Sequence, residues 1–331
     1  MTKLRPPFYE SLRHLDERGI RKTLTILLQN LSPYFGKKVK YISYRFFSGS
    51  KSVVADINGS KMWLNIGDKG VYPQLLLYGK REPFCTDYLI NSGVLKEGDV
   101  VLDIGANIGY YVLLESKLVG DLGKVYAIEP VSSNIKALKR NLKLNDRENI
   151  EIFHLAVNGK DGKSQIYISD SCNLSAMERS LVTGNIIGVE EVDVVTVDSF
   201  LKDKNIPDLI RMDVEGYECN IIRGMAKTLQ ENTKILMELH PTKVSKEQLE
   251  EMFETLKANN FKVKFAVYDH TVKEHRIVQY LMRKLGDELP LIFLNMTIDE
   301  LSDLIQTQHA LIPNIPAICP HVLFSKNEDA S

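Results

Sequence analysis

Four cysteines in 331 residues, Cys85, Cys172, Cys219 and Cys319, are too few and too scattered for a disulfide framework. None stands in a C-x-x-C pair, so no zinc site is expected, and the four read as free thiols of a reducing compartment. Charge of one sign is missing too. Lys and Arg total 42 against 43 Asp and Glu, a formal net charge of −1, so nothing in the balance points to a nucleic-acid or anionic-membrane partner. The start, Met1-Thr2-Lys3-Leu4-Arg5-Pro6-Pro7, has no apolar h-region, and no apolar run approaches the roughly 18 residues that span a bilayer. A cytoplasmic chain without a membrane span is expected. Internal repeats and low-complexity tracts are absent as well. At this length, one large α/β domain with additions is as consistent as two domains.

What is present is order. Ile20, Leu24, Leu27, Leu28 and Leu31 fall at helical spacing, which predicts an amphipathic helix within residues 11–31. Lys37, Lys38 and Lys40 beside Tyr41 read as an ordinary solvated face. Asn58-Gly59 between Val53–Ile57 and Met62–Ile66 is a tight-hairpin signal. Residues 1–83 are therefore expected to form an accessory region of helix and hairpin. From 84 onward strands at 100–104, 124–129, 150–157, 208–213 and 234–239 alternate with helices, the pattern of a parallel sheet. Shorter strands are read at 164–168 and 193–197. A capping box at Ser245-Lys246-Glu247-Gln248 opens a helix ending near Asn259, and Phe261–Val267 alternates as a strand. Residues 272–312 read as helical, with a second capping box at Thr297–Glu300. His321–Phe324 would return to the sheet as a last, antiparallel strand, making about 272–316 a helical insertion in a domain spanning 84–331.

The most informative stretch is Val101-Leu102-Asp103-Ile104-Gly105-Ala106-Asn107-Ile108-Gly109, followed by Val125-Tyr126-Ala127-Ile128-Glu129-Pro130. It reads as strand, glycine turn, helix and a second strand ending in an acid, the way a doubly wound sheet holds a nucleoside. Gly105 and Gly109 let the turn approach a ligand. Glu129 stands where an acid accepts hydrogen bonds from ribose hydroxyls. A dinucleotide fingerprint would place a glycine where Asn107 stands, and Asp103 at the strand end would meet a diphosphate with like charge. S-adenosylmethionine, with an ammonium and a sulfonium and no phosphate, suits that acid.

The next acidic edge lies in Asp208-Leu209-Ile210-Arg211-Met212-Asp213-Val214-Glu215-Gly216-Tyr217-Glu218. Period-two alternation puts Arg211 and Asp213 on one side, with Asp213 at the ligand-binding carboxyl edge. Met237-Glu238-Leu239-His240-Pro241 brings a glutamate and an imidazole to the same edge. Asp213 or His240 is the expected general base, histidine because it ordinarily titrates near neutrality. Glu215 or Arg211 would orient the acceptor. The blander reading makes Asp213 a helix cap paired with Arg211. Asp213, Glu215, Glu238 and His240 could also gather a divalent ion, but their spacings are not diagnostic and no metal is expected. His154, inside the third strand, is read as packing.

With these motifs in hand, residues 82–241 resemble the FkbM family of S-adenosylmethionine-dependent methyltransferases. The matching pieces are Gly98–Tyr111, Gly123–Pro130 and Asp208–Glu218. The resemblance implies a Rossmann-like class I sheet and O-methylation of an alcohol on a sugar, glycan, lipid or polyketide-type molecule. It implies cofactor binding by Asp103, Gly105, Asn107 and Glu129, with the loop from Ala156 to Asp161 near the adenine. Arg211 stands where the family carries lysine, and arginine cannot serve as a base. The rival readings are a nicotinamide-dependent oxidoreductase, disfavoured by the missing middle glycine, and a non-catalytic nucleoside-binding module.

Overall fold

A computed structural model describes residues 52–68, 70–267, 292–311 and 319–326. The helix expected within 11–31, the Lys37–Lys40 cluster and much of the 272–316 interval lie outside the described residues. Strands β1 (Ser52–Ile57) and β2 (Ser60–Asn65) form the hairpin foreseen at Asn58-Gly59. Asn58 and Gly59 have φ of 52° and 74°, as a tight primed turn requires. The hairpin lies on the helix Ser132–Lys143 and its C-terminal extension. There the Asn141 side chain accepts from the Trp63 N–H at 2.7 Å. The Asn145 side chain accepts from the Lys61 N–H and donates to the Lys61 carbonyl, both at 2.8 Å.

The main sheet is built from β3 (Val100–Ile104), β4 (Lys124–Ile128), β5 (Ile150–Phe153), β9 (Leu209–Met212), β10 (Lys234–Glu238), β11 (Lys262–Val267), β12 (Ile292–Met296) and β13 (His321–Ser325). Its order is β12-β11-β13-β10-β9-β3-β4-β5. Neighbours from β10 to β5 are parallel, whereas β13 runs antiparallel to both β10 and β11. This is the mostly parallel sheet that the resemblance implied, with the antiparallel last strand in the expected place. The parallel strands are buried on both faces, which is why they read as nearly continuous apolar runs. Leu102, Ile104, Ile210, Met212, Ile235 and Met237 pack on one face. Val101, Leu209, Leu236, Phe265 and Leu323 pack on the other, beneath the hairpin and the helices Val71–Tyr78 and Pro83–Asn91.

Three expectations need correction. The strand read at 150–157 is two strands in two sheets: β5 ends at Phe153, and β6 (Ala156–Val157) joins β7 (Gly162–Ser169) and β8 (Ile186–Val195) in a three-stranded sheet. His154 sits in the break, exposed, with its Nε2 2.9 Å from the Pro130 carbonyl. The interval read as helical contains β12, antiparallel to β11, before the helix Ile298–Leu311. A five-residue apolar run carries little periodicity, and the capping box at Thr297–Glu300, which is formed, extended the helical reading too far back.

Candidate active site

The glycine turn leaves β3 through Gly105 and Asn107, with φ of 87° and 50°, and reaches Gly109 at 90°. A Cβ on Gly105 would lie 2.1 Å from the Asp213 carbonyl oxygen, so the turn rests directly on the end of β9. A Cβ on Gly109 would lie 2.4 Å from Leu138 Cδ1. Gly109 does not line the cavity described next; it lets two helices touch, and its expected contact with the cofactor is not supported.

The cavity at the carboxyl ends of the strands is bordered by Gly105, Asn107, Glu129, Ala156, Asp213 and Glu215. Leu155, Val157 and Met177 give it an apolar wall. Of the loop from Ala156 to Asp161, Ala156 and Val157 border it. Asp161 instead accepts from the Thr196 N–H and the Ser199 hydroxyl at 2.6 and 2.7 Å. The Glu129 carboxylate accepts from the N–H groups of Asn107 (2.7 Å) and Val131 (2.9 Å) and from the Asn134 amide (3.1 Å). A carboxylate offers about four acceptor sites, so one remains for a ligand hydroxyl and a second opens if Asn134 gives way. Burial pushes the Glu129 carboxyl up to about 7, against the pull of those three donors. Asn107 Oδ1 and Asn173 Oδ1, both bordering the cavity, are buried acceptors without a protein donor.

Register explains the charges beneath the turn. Asp103 on β3 pairs with Arg211 on β9, and Glu238 on β10 pairs with His321 on β13. All four face the accessory helices, on the side of the sheet that carries Val101 and Leu236. Asp103, fully buried, accepts from Arg211 Nη1 at 3.0 Å, and the guanidinium lies 3.7 Å over the Tyr111 ring. Asp103 is thus a counter-ion through Oδ1 and does not border the cavity, while its Oδ2 is buried without a hydrogen-bond partner in the protein. Arg211 is 3.7 Å from Asp213, so the same-side placement holds while its main partner is another acid.

Sequence reasoning missed Arg81 and Glu82. The Arg81 guanidinium is 3.5 Å from Asp213 and 3.9 Å from Glu238, and its Nε pairs with Glu82. Glu82, fully buried, also accepts from the Tyr111 hydroxyl at 2.5 Å and lies 2.9 Å from His321. Its φ of 46° is a left-handed conformation that costs a non-glycine residue on the order of 1–3 kcal/mol and concentrates at functional sites. No period marks these residues; the one local signal is Pro83 at the start of a helix.

Asp213 is held by two guanidinium groups, yet its carboxyl is pushed up to about 7, chiefly by burial and next by Glu238. His240 is different. Its Nδ1 is 2.7 Å from Glu218 and its Nε2 3.6 Å from Glu215. Burial opposes its charge, but Glu218 and Cys319 outweigh that and hold the imidazole well above its usual range. An imidazolium at neutral pH has no lone pair for a proton, so His240 is poorly suited to be the expected base. Glu215 pairs with Lys243 as well as His240. The acids weighed as metal ligands therefore already have cationic partners.

A consequence for stability follows. Glu129 and Asp213 hold their protons to about pH 7 when folded, against ordinary values of 4.5 and 3.8. Between those limits the native state binds more protons than the unfolded one, so stability falls as pH rises through the window and levels above it. His240, raised from 6.5, pushes the same way. Cofactor-free protein should therefore have a lower urea midpoint at pH 8 than at pH 5, the difference amounting to a few kcal/mol at roughly 1.4 kcal/mol per pKa unit. A midpoint that climbs over this range would contradict the assignment.

Comparison with known proteins agrees with the geometry. Residues 103–263 match the family described as "Methyltransferase FkbM domain". The chain is 26% identical over 151 residues to the hexuronic acid methyltransferase AglP of Haloferax volcanii, covering 44% of this chain and 57% of that protein. It is 30% identical over 71 residues to a protein-L-isoaspartate O-methyltransferase of Ignicoccus hospitalis, covering 22% of this chain and 34% of that one. The chain thus spans between about a third and just over half of these curated relatives. Among solved structures, an FkbM methyltransferase from Methylobacillus flagellatus aligns with a TM-score of 0.37 at 12% identity, covering 96% of this chain and 58% of that one. No helix among the described residues is long and apolar enough to cross a membrane. A strand-end cavity on this sheet and a family match centred on the same residues converge: residues 103–263 of this chain match the FkbM methyltransferase domain, a family whose cofactor is S-adenosylmethionine.

Proposed function

We propose that the chain transfers a methyl group to a hydroxyl oxygen of a sugar or glycan by in-line displacement, with Asp213 accepting the hydroxyl proton. The observation that carries this reading is Asp213 itself: a carboxyl held up to about 7, bordering the same cavity as Gly105 and Glu129. A base whose pKa lies near the operating pH is both available and strong enough.

The residues present fit the cofactor. Asn107 Oδ1 and Asn173 Oδ1 offer unmet acceptors to N–H or O–H donors, and Glu129 retains an acceptor site for a ribose hydroxyl. Leu155, Ala156 and Val157 offer an apolar seat to the adenine. Buried acids outnumber guanidinium groups beneath the turn, which suits a cationic ligand without phosphate. When bound, S-adenosylmethionine supplies a methyl already activated by its sulfonium. The protein's part is alignment and proton removal. Gly105 sets the turn against the end of β9, Arg81 and Arg211 brace the Asp213 carboxylate, and Glu215 with His240 orients the acceptor.

The sugar class is supported by the likeness to a hexuronic acid methyltransferase. The test is incubation with isotopically labelled S-adenosylmethionine and separated sugar, glycan, lipid and polyketide fractions of the host. Label is expected in hydroxyls of the sugar or glycan fraction. Label in the lipid or polyketide fraction would overturn the acceptor class, and label in none would overturn the transfer.

A further inference from the structure

The segment that precedes the main sheet reaches into the catalytic edge at one point. Arg81 is held there by its main chain as well as its side chain. Its N–H donates to the Tyr110 hydroxyl at 3.1 Å, and its carbonyl accepts from that hydroxyl at 3.1 Å and from the Thr86 hydroxyl at 2.7 Å. Tyr110 and Tyr111 open the helix that follows the glycine turn, so consecutive tyrosines receive the consecutive pair Arg81-Glu82. With its backbone fixed and Glu82 on Nε, the guanidinium has one direction left for Nη2, toward Asp213 and Glu238.

We propose that Arg81 is a positioning residue of the methyltransferase site: from outside residues 103–263 it fixes the Asp213 carboxylate and sets the pH at which that carboxylate takes up a proton. The inference builds on Asp213 as proton acceptor and adds the residue that tunes it.

Besides Arg81, the charged groups that act on Asp213 are Arg211, Glu215 and Glu238. Arg211 approaches at 3.7 Å from the same strand, itself partly neutralised by Asp103 from β3. Glu215 follows in the loop, screened by Lys243 and His240. Glu238 comes from β10, shared between Arg81 and His321. Glu82 offsets Arg81 from behind. Arg211 is therefore committed to another acid, whereas Arg81 divides its outer nitrogen between the two acids at the catalytic edge. Removing it leaves Asp213 and Glu238 facing each other with less cation between them, which favours the protonated carboxyl.

The experiment is a ¹³C carboxyl titration of aspartate-labelled full-length protein, with Asp213 assigned through Asp213→Asn. In Arg81→Gln the Asp213 titration should move up by about one pH unit, the smallest shift usual for an opposite charge this close. Arg81→Lys should stay near wild type. An unchanged titration in folded Arg81→Gln would overturn the proposal. Should that variant fail to fold, Arg81→Gln with Glu82→Gln removes the cation together with the acid behind it; a smaller upward shift is expected, because Arg81 contacts Asp213 at 3.5 Å and Glu82 does not, and its absence is again fatal. Methyl transfer retained by Asp213→Asn would instead overturn the catalytic reading and leave the titration result standing.

Discussion

Replacing Asp213 by asparagine is expected to slow methyl transfer by about 10²–10⁴-fold, the usual contribution of a general base, while S-adenosylmethionine still binds. The two effects separate because the residue has two ends. Its carbonyl forms part of the surface against which Gly105 is fitted, and that contact survives the substitution. Its carboxylate is what accepts the proton, and the amide that replaces it has almost no basicity. Calorimetry with the cofactor and single-turnover transfer of labelled methyl measure the two halves independently. Full activity in the variant would remove the base from Asp213, and a rate loss explained by lost cofactor affinity would make Asp213 a binding residue.

Gly105→Ala should be more damaging to the fold than its single added methyl suggests. The new Cβ falls 2.1 Å from a backbone oxygen, which no side-chain rotation relieves, at a φ of 87° that alanine rarely adopts. A left-handed residue costs about 1–2 kcal/mol and forced overpacking about 1–3 kcal/mol, so a loss of roughly 2–5 kcal/mol is expected. Either β3 or β9 must move, and both carry groups of the cavity. Chemical denaturation and cofactor calorimetry should fail together. A variant of wild-type stability and affinity would show that the turn is looser than its contacts imply.

The two substitutions probe what a sequence can and cannot announce. Gly105, Asn107 and Glu129 were legible because their signal is local, a strand ending in a turn and the next strand ending in an acid. Asp213 was legible for the same reason. The counter-ion of Asp103 was not legible: Arg211 lies 108 residues away on a neighbouring strand and takes one carboxylate oxygen, while Oδ2 has no hydrogen-bond partner within the protein. Arg81 lies 132 residues from Asp213, on a segment with no periodicity to place it. His240 was recognised as ionisable at the right edge, but its partner Glu218 comes from across the loop and nothing in its local sequence shows that pairing. The break between β5 and β6 was hidden because both halves of Ile150–Val157 are apolar, and composition does not say which sheet a strand joins.

The asparagines beneath the hairpin have an effect beyond docking it. Strand β2 pairs with β1 on one side, and its outward amides at Lys61 and Trp63 are two residues apart, about 6.6 Å along a strand. Asn145 and Asn141 stand four residues apart, about 6 Å along a helix, and present their carboxamides at nearly that interval. A helix here imitates the margin of a third strand. The open side of the hairpin is closed to recruitment by another chain's backbone, so the accessory region carries a two-stranded ribbon without offering this edge as a template for aggregation.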